Sequence, residues 1–112
     1  MNTLTAEELK QMQDRNEDFL LVNTLDEKAF ADTQIPGAVN IPQSRDGFVQ
    51  RVEQESGGKD KKIVVYCASE ACDSSPTAAK KLEEAGFSNV FDFEAGAKGW
   101  EEAGQPLAAK AG

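Results

Sequence analysis

The chain has 112 residues, 39% of them hydrophobic and 29% charged, which suits one globular domain around one core. Twelve Lys plus Arg against 20 Asp plus Glu leave a formal net charge of -8, which argues against nucleic acid and anionic membranes as partners. With no histidine and two cysteines, structural zinc is not expected and no Cys-His or Ser-His-Asp arrangement can form, so any nucleophile must be activated by backbone, by a dipole, or by Lys or Arg.

The opening Met1-Asn-Thr-Leu-Thr5 lacks the basic and then apolar pattern of a signal peptide, and no apolar run approaches a membrane span. A cytoplasmic location is therefore expected. Thr5-Ala-Glu-Glu8 fits a capping box, which predicts a helix over 6–12. The apolar run 19–22 reads as a strand buried on both faces. A short helix is expected over 26–31. Ile35-Pro-Gly-Ala38 reads as a tight turn, with Pro36 fixing φ and Gly37 free to take a positive one. A brief strand over 39–41 ends at Pro42.

Residues 45–54 have helical character, with Phe48 and Val52 on one face. A polar loop from Ser56 precedes the central strand, 63–66. Ser75-Pro76 reads as a helix start, with Ser75 as N-cap and Pro76 in the first turn; Gly86 ends that helix. A strand follows over 90–93. A last helix over 97–103 carries Trp100, which is expected to anchor the core. The tail 108–112 is expected to fray. Strands separated by helices imply parallel pairing and right-handed crossovers. The fold class is therefore α/β, an open and mainly parallel sheet with helices on both faces. In such sheets sites form at the carboxyl ends of strands, and Cys67 lies at one of those ends.

Cys67 is the candidate nucleophile. It ends a core strand, is followed by the small and polar residues Ala68, Ser69 and Glu70, and precedes a capped helix whose free N–H groups favour an anion. The plainer reading is a buried small hydrophobe. The helix start favours a lowered thiol pKa, Glu70 and Asp73 oppose it, and the expected net lowering is modest. Cys72 reads either as a small loop residue or as a resolving thiol for Cys67.

Several stretches together resemble the rhodanese family, over nearly the whole chain. They are Leu20-Leu-Val22, Ile35-Pro-Gly-Ala-Val-Asn-Ile-Pro42, Ile63-Val-Val-Tyr-Cys67, Gly86-Phe-Ser-Asn-Val-Phe91, Glu94-Ala-Gly-Ala-Lys-Gly-Trp100 and Gly104-Gln-Pro106. The resemblance implies that Cys67 carries sulfur. It would take sulfane sulfur from a persulfide, polysulfide or thiosulfate and pass it to a thiol or cyanide, with a protein sulfur carrier as a further partner. Backbone N–H groups across Ala68, Ser69, Glu70, Ala71, Cys72, Asp73, Ser74 and Ser75 would hold the charged sulfur. Neither metal nor organic cofactor is implied.

Departures from the family pattern sharpen the expectation. Asn23-Thr24-Leu25 stands where the family has Asp-x-Arg, so a structural ion pair is absent, and Gln34 replaces a histidine. The loop after Cys67 is longer than the common one and carries Glu70 and Asp73 where thiosulfate-using members carry cations. A dianion would be repelled there, which favours a persulfide or polysulfide donor over thiosulfate. The position six after Cys67, where related phosphatases place Arg, is Asp73, so a phosphoryl group would find no guanidinium clamp. A non-catalytic or redox-sensing module using a Cys67/Cys72 pair is the alternative.

Overall fold

A computed structural model describes residues 2–108. Along the chain come β1 (Asn2–Thr3), α1 (Ala6–Asp14), β2 (Phe19–Asn23), α2 (Glu27–Thr33), β3 (Val39–Asn40), α3 (Phe48–Ser56), β4 (Lys62–Tyr66), α4 (Ser74–Glu84), β5 (Val90–Phe93) and α5 (Gly96–Glu102). Local signals account for most boundaries. Thr5 accepts from the Glu8 amide while the Glu8 carboxylate accepts from the Thr5 amide, closing the capping box that starts α1. Asp26 caps α2 through the Ala29 amide at 2.9 Å. The Ala38 amide donates to the Ile35 carbonyl, and Gly37 takes φ +88°, as the Ile-Pro-Gly-Ala turn requires.

The five strands form one all-parallel sheet in the order β1-β5-β4-β2-β3. The expected α/β class holds. The strand that sequence reading overlooks is β1, two residues long and paired with β5 through Asn2↔Phe91 and Thr3↔Asp92. Two exposed residues carry no alternation to read; only the sheet edge beside them makes them a strand.

Each face of the sheet has its own core. On one, Leu9 and Met12 of α1 and Ala97 and Trp100 of α5 pack against Leu21, Val64, Tyr66 and Phe93. On the other, Phe48 and Val52 of α3 and Ala78, Ala79 and Leu82 of α4 pack against Val22, Ile63, Val65 and Val90. The period of two along β4 decides which side chain serves which core. It also sends Cys67, in phase with Ile63 and Val65, toward α4. Trp100 is the expected core anchor, edge-on to Phe93 and donating Nε1–H to the Pro106 carbonyl at 2.9 Å. Lys61 and Lys62 pair with Asp18 and Glu17 at the amino end of β4, away from Cys67. The Ala108 amide donates to the Gln34 carbonyl at 2.8 Å, so this first residue of the expected frayed tail is anchored; 109–112 lie outside the described residues.

The chain leaves β2 for β3 on one side and returns to β4 on the other. The carboxyl ends of β2 and β4 therefore flank a topological switch point, where open α/β sheets form their sites.

Candidate active site

Asn23, Thr24 and the segment after β4 meet at this switch point. In place of an ion pair, neutral hydrogen bonds tie the elements together. Asn23 Nδ2 donates to Thr33 Oγ1 at 3.0 Å, and its Oδ1 accepts from the Leu25 amide at 3.0 Å. The Thr24 and Ser74 hydroxyls lie 2.8 Å apart, and Ser74 Oγ donates to the Thr24 carbonyl at 3.1 Å. The start of α4 is thereby pinned to the end of β2. Beneath, the Tyr66 hydroxyl accepts from the Ile35 amide and donates to the Thr33 carbonyl, both at 2.9 Å.

The helix start differs from expectation. Helix α4 begins at Ser74 with Asp73 as N-cap, and no side chain caps it. Ser75 is not the cap. It lies inside the first turn, buried, and its Oγ is 3.5 Å from Cys67 Sγ. The Ser74 hydroxyl is taken by Thr24, and Pro76 brings no N–H to a turn where that N–H would be unpaired anyway. Ser75 is thus released to face the sulfur.

Cys67 is 1% exposed and both cysteines are free thiols. Its Sγ is not sealed among aliphatic groups: the Cys72 carbonyl lies at 3.5 Å, the Ser69 carbonyl at 4.0 Å and the Ser75 hydroxyl at 3.5 Å. The Ser75 backbone N–H also acts on the sulfur, in the direction that favours the thiolate. Of the eight loop residues expected to supply amides, none donates a hydrogen bond to Sγ in these contacts, and Ser75 alone has an N–H that acts on it. Ser69 and Cys72 turn carbonyls to it, as suits a protonated thiol. The Cys72 amide is itself engaged by the Ser69 carbonyl at 3.1 Å. Ala68, Glu70, Ala71 and Asp73 make no such contact, and Ser74 serves β2.

The expected lowering of the Cys67 pKa is reversed. Burial pushes it up, the Cys72 thiol adds to the rise, and the Ser75 hydroxyl and amide pull against both. Sequence reading gave the helix start its due but could not weigh desolvation of a side chain covered by its own loop.

Two further residues build the site. Gly96 opens α5 at φ +65°, so close to the loop that a Cβ would sit 2.4 Å from the Cys67 carbonyl oxygen and 2.8 Å from the Ser69 nitrogen. That approach lets the Ala97 and Lys98 amides donate to the Cys67 and Ala68 carbonyls, each at 2.9 Å. The start of α5 therefore fixes the backbone that carries the nucleophile. The other is Asp92 of β5, 1% exposed, paired in register with Val65. Burial raises its pKa, the Ser75 side chain acts against that rise, and its buried Oδ1 has no hydrogen-bond partner. The overlooked signal was a carboxylate in phase with Val90 in an otherwise apolar strand, where Asp is depleted.

A hollow of about 310 Å³ adjoins the loop, lined by Ser69, Glu70 and Ala71 on one side and by Lys98, Gly99 and Glu102 of α5 on the other. Lys98 thus reaches the loop but brings one cation among two carboxylates. A larger hollow of about 460 Å³ beside Gln54 and Gly58 has no nucleophile in its lining. No group of His, Cys, Asp and Glu among the described residues could hold a metal ion, and none of their helices is long and apolar enough to cross a membrane.

The family model for the rhodanese-like domain matches residues 5–103. A sulfurtransferase of Allochromatium vinosum is 29% identical over 112 residues, spanning 100% of this chain and 99% of that protein. The Alr3790 protein of Anabaena sp. superposes with a TM-score of 0.79 at 28% identity, over 92% of this chain and 79% of that one. A thiosulfate sulfurtransferase of Pseudomonas aeruginosa superposes with a TM-score of 0.85 over 95% of this chain but 20% of its own, and its 24% identity speaks for the fold alone.

Proposed function

This chain belongs to the rhodanese-like domain family, and on that premise we propose that it is a sulfurtransferase working through a Cys67 persulfide. The observation that carries the reading is the position of Cys67 at the switch point, with the Ser75 hydroxyl 3.5 Å from its sulfur at the start of α4. In the first half-reaction Cys67 Sγ, as thiolate, attacks the outer sulfur of a persulfide R–S–SH. The Cys67 S–S bond forms, the donor's S–S bond breaks, and R–S⁻ departs. In the second, an acceptor thiolate or cyanide attacks the outer sulfur of the Cys67 persulfide and returns Cys67 to its starting state. The Ser75 hydroxyl, which accepts from the thiol, turns to donate once the sulfur is anionic, and the start of α4 favours that charge at both stages. A sulfur-carrier protein is an acceptor consistent with this scheme.

Cys67 is nearly covered, so a donor reaches the sulfur only as the Ser69–Cys72 turn opens. Glu70 and Asp73 are exposed on that loop, and Glu102 joins Glu70 in the adjoining hollow against the single charge of Lys98. A thiosulfate dianion meets net repulsion there. A thiol persulfide or polysulfide is the preferred donor in this reading. The cytoplasm remains the expected compartment, since two free thiols suit a reducing environment.

Intact mass after exposure to a thiol persulfide tests the reading. A gain of about 32 Da, one sulfur, should appear and should vanish in Cys67→Ser. No gain with any sulfane-sulfur donor would refute sulfur transfer, and faster turnover with thiosulfate than with a thiol persulfide would refute the donor preference. One observation favours a second reading: Cys67 Sγ lies 3.5 Å from the Cys72 carbonyl, and the Cys72 thiol acts on its ionisation. A redox-sensing pair would instead lose two hydrogens on oxidation, as a Cys67–Cys72 disulfide.

A further inference from the structure

Three charged side chains line the hollow beside the Cys67 loop: Glu70 from the loop itself, and Lys98 and Glu102 from α5. All three are exposed, and among the described residues none has a side-chain hydrogen bond or ion pair. Cations that line other hollows are held within the chain: Arg45 by Glu27 at 3.0 Å, Arg51 by Glu55 at 3.3 Å, and Lys10 by Asp14. Lys98 shares its hollow with two carboxylates and pairs with neither. The rest of the lining is small, with Ala71, Ala95 and Gly99, so the three charges are what the hollow offers a ligand.

The hollow is also close to the nucleophile. Ser69 lines it and turns its carbonyl to Cys67 Sγ at 4.0 Å, so one residue of the turn separates the space from the sulfur. The Lys98 amide donates to the Ala68 carbonyl at 2.9 Å, which fixes the α5 wall against the base of the loop. At about 310 Å³ the space stands at the lower end of small-molecule pockets, which run from about 300 to 1,000 Å³. It takes a molecule of amino-acid size.

We propose that this hollow holds the R group of the sulfur donor, and that the donor is a small thiol persulfide bearing an α-amino acid end, its ammonium between Glu70 and Glu102 and its carboxylate on Lys98. The inference rests on the sulfurtransferase reading and names the donor class within it. Both signs are needed for a full match. An ammonium alone leaves Lys98 without a partner, a carboxylate alone leaves the two glutamates without one, and a thiosulfate dianion brings no cation at all. The sulfur chemistry is that of the first half-reaction: the Cys67 S–S bond forms, the donor's S–S bond breaks, and R–S⁻ departs with its ammonium and carboxylate unchanged.

Four persulfides separate the charges: those of cysteine, cysteamine, 3-mercaptopropionate and 2-mercaptoethanol, the last with an uncharged R group. The second-order rate of one-sulfur gain at Cys67 is measured for the native protein, for Glu70→Gln with Glu102→Gln, and for Lys98→Gln. Each rate is divided by that with 2-mercaptoethanol persulfide, and native and variant ratios are compared. The comparison cancels the donors' own reactivities and any change in loop opening. Removing the two glutamates should lower the ratio for cysteine and cysteamine persulfides by about threefold, and Lys98→Gln that for cysteine and 3-mercaptopropionate persulfides by about threefold, the size of an exposed ion pair. Cysteine and 2-mercaptoethanol persulfides carry the same net charge, so a diffuse field would leave their ratio unmoved in both variants. That result would overturn the proposal. S-methylcysteine, which has no sulfane sulfur to give, tests binding apart from transfer. It should shift the amide NMR signals of Ser69, Ala71 and Gly99 to saturation in native protein, and far less in Lys98→Gln. No such shifts, while persulfides still load Cys67, would refute the hollow as the donor site and leave the sulfurtransferase standing. Saturating shifts with no sulfur gain from any donor would overturn the sulfurtransferase reading and the donor role with it.

Discussion

Replacing Gly96 with Ala should destabilise the protein far more than the same change at Gly37, though both glycines have positive φ, +65° and +88°. An L-residue in the left-handed region costs about 1–2 kcal/mol, and both positions bear that term. They differ in what the new methyl meets. At Gly37 nothing lies within 4 Å. At Gly96 the Cβ would stand 2.4 Å from the Cys67 carbonyl oxygen, 2.8 Å from the Ser69 nitrogen and 2.9 Å from the Ala68 carbonyl carbon. All three are backbone, held by the Ala97 and Lys98 amides, so no flexible side chain can swing away. Overpacking of this kind adds about 1–3 kcal/mol. The expected losses are therefore about 1–2 kcal/mol for Gly37→Ala and about 2–5 kcal/mol for Gly96→Ala, summed from the same two terms. In a chain of this size that is a fall in Tm of roughly 4–10 °C against roughly 8–25 °C. Thermal unfolding by circular dichroism reads both, and the alkylation rate of Cys67 should change in Gly96→Ala alone. Equal Tm losses with unchanged Cys67 reactivity would show that the loop backbone yields, and that α5 does not fix the nucleophile.

Tyr66→Phe removes the hydroxyl that accepts from the buried Ile35 amide, while the Thr33 carbonyl keeps Asn23 Nδ2; an orphaned buried group costs about 1–3 kcal/mol. Urea unfolding should show that loss, and a change near zero would mean that water replaces the hydroxyl. Asp92 carries a folded-state pKa raised by burial, so its contribution favours the folded state at low pH and is lost as pH rises through the raised value. Relative to Asp92→Asn, the native protein should therefore lose stability between the ordinary Asp range and the raised pKa, and no further above it. A stability difference that does not vary with pH across that window would refute the raised pKa.

Sequence alone settled what covalent neighbours can settle. The capping box at Thr5 and Glu8, the turn at Gly37 and the alternation of apolar runs with helical stretches act within a few residues, so the α/β class and the place of Cys67 at a strand end could be read directly. A family motif even contained Gly96, though its role was invisible. Tertiary structure decided the rest. Ser75 faces the sulfur because Ser74 is held by Thr24, 50 residues away in the chain. Asp92 reaches the site because β5 pairs with β4 in a register that sets it beside Val65. The Cys67 pKa rises because the loop covers the thiol, whose desolvation outweighs the donors of α4. Short-range hydrogen bonds and periodicity are written along the chain, whereas burial, and with it the electrostatics of the thiol, exists only once four separate elements have closed around one point.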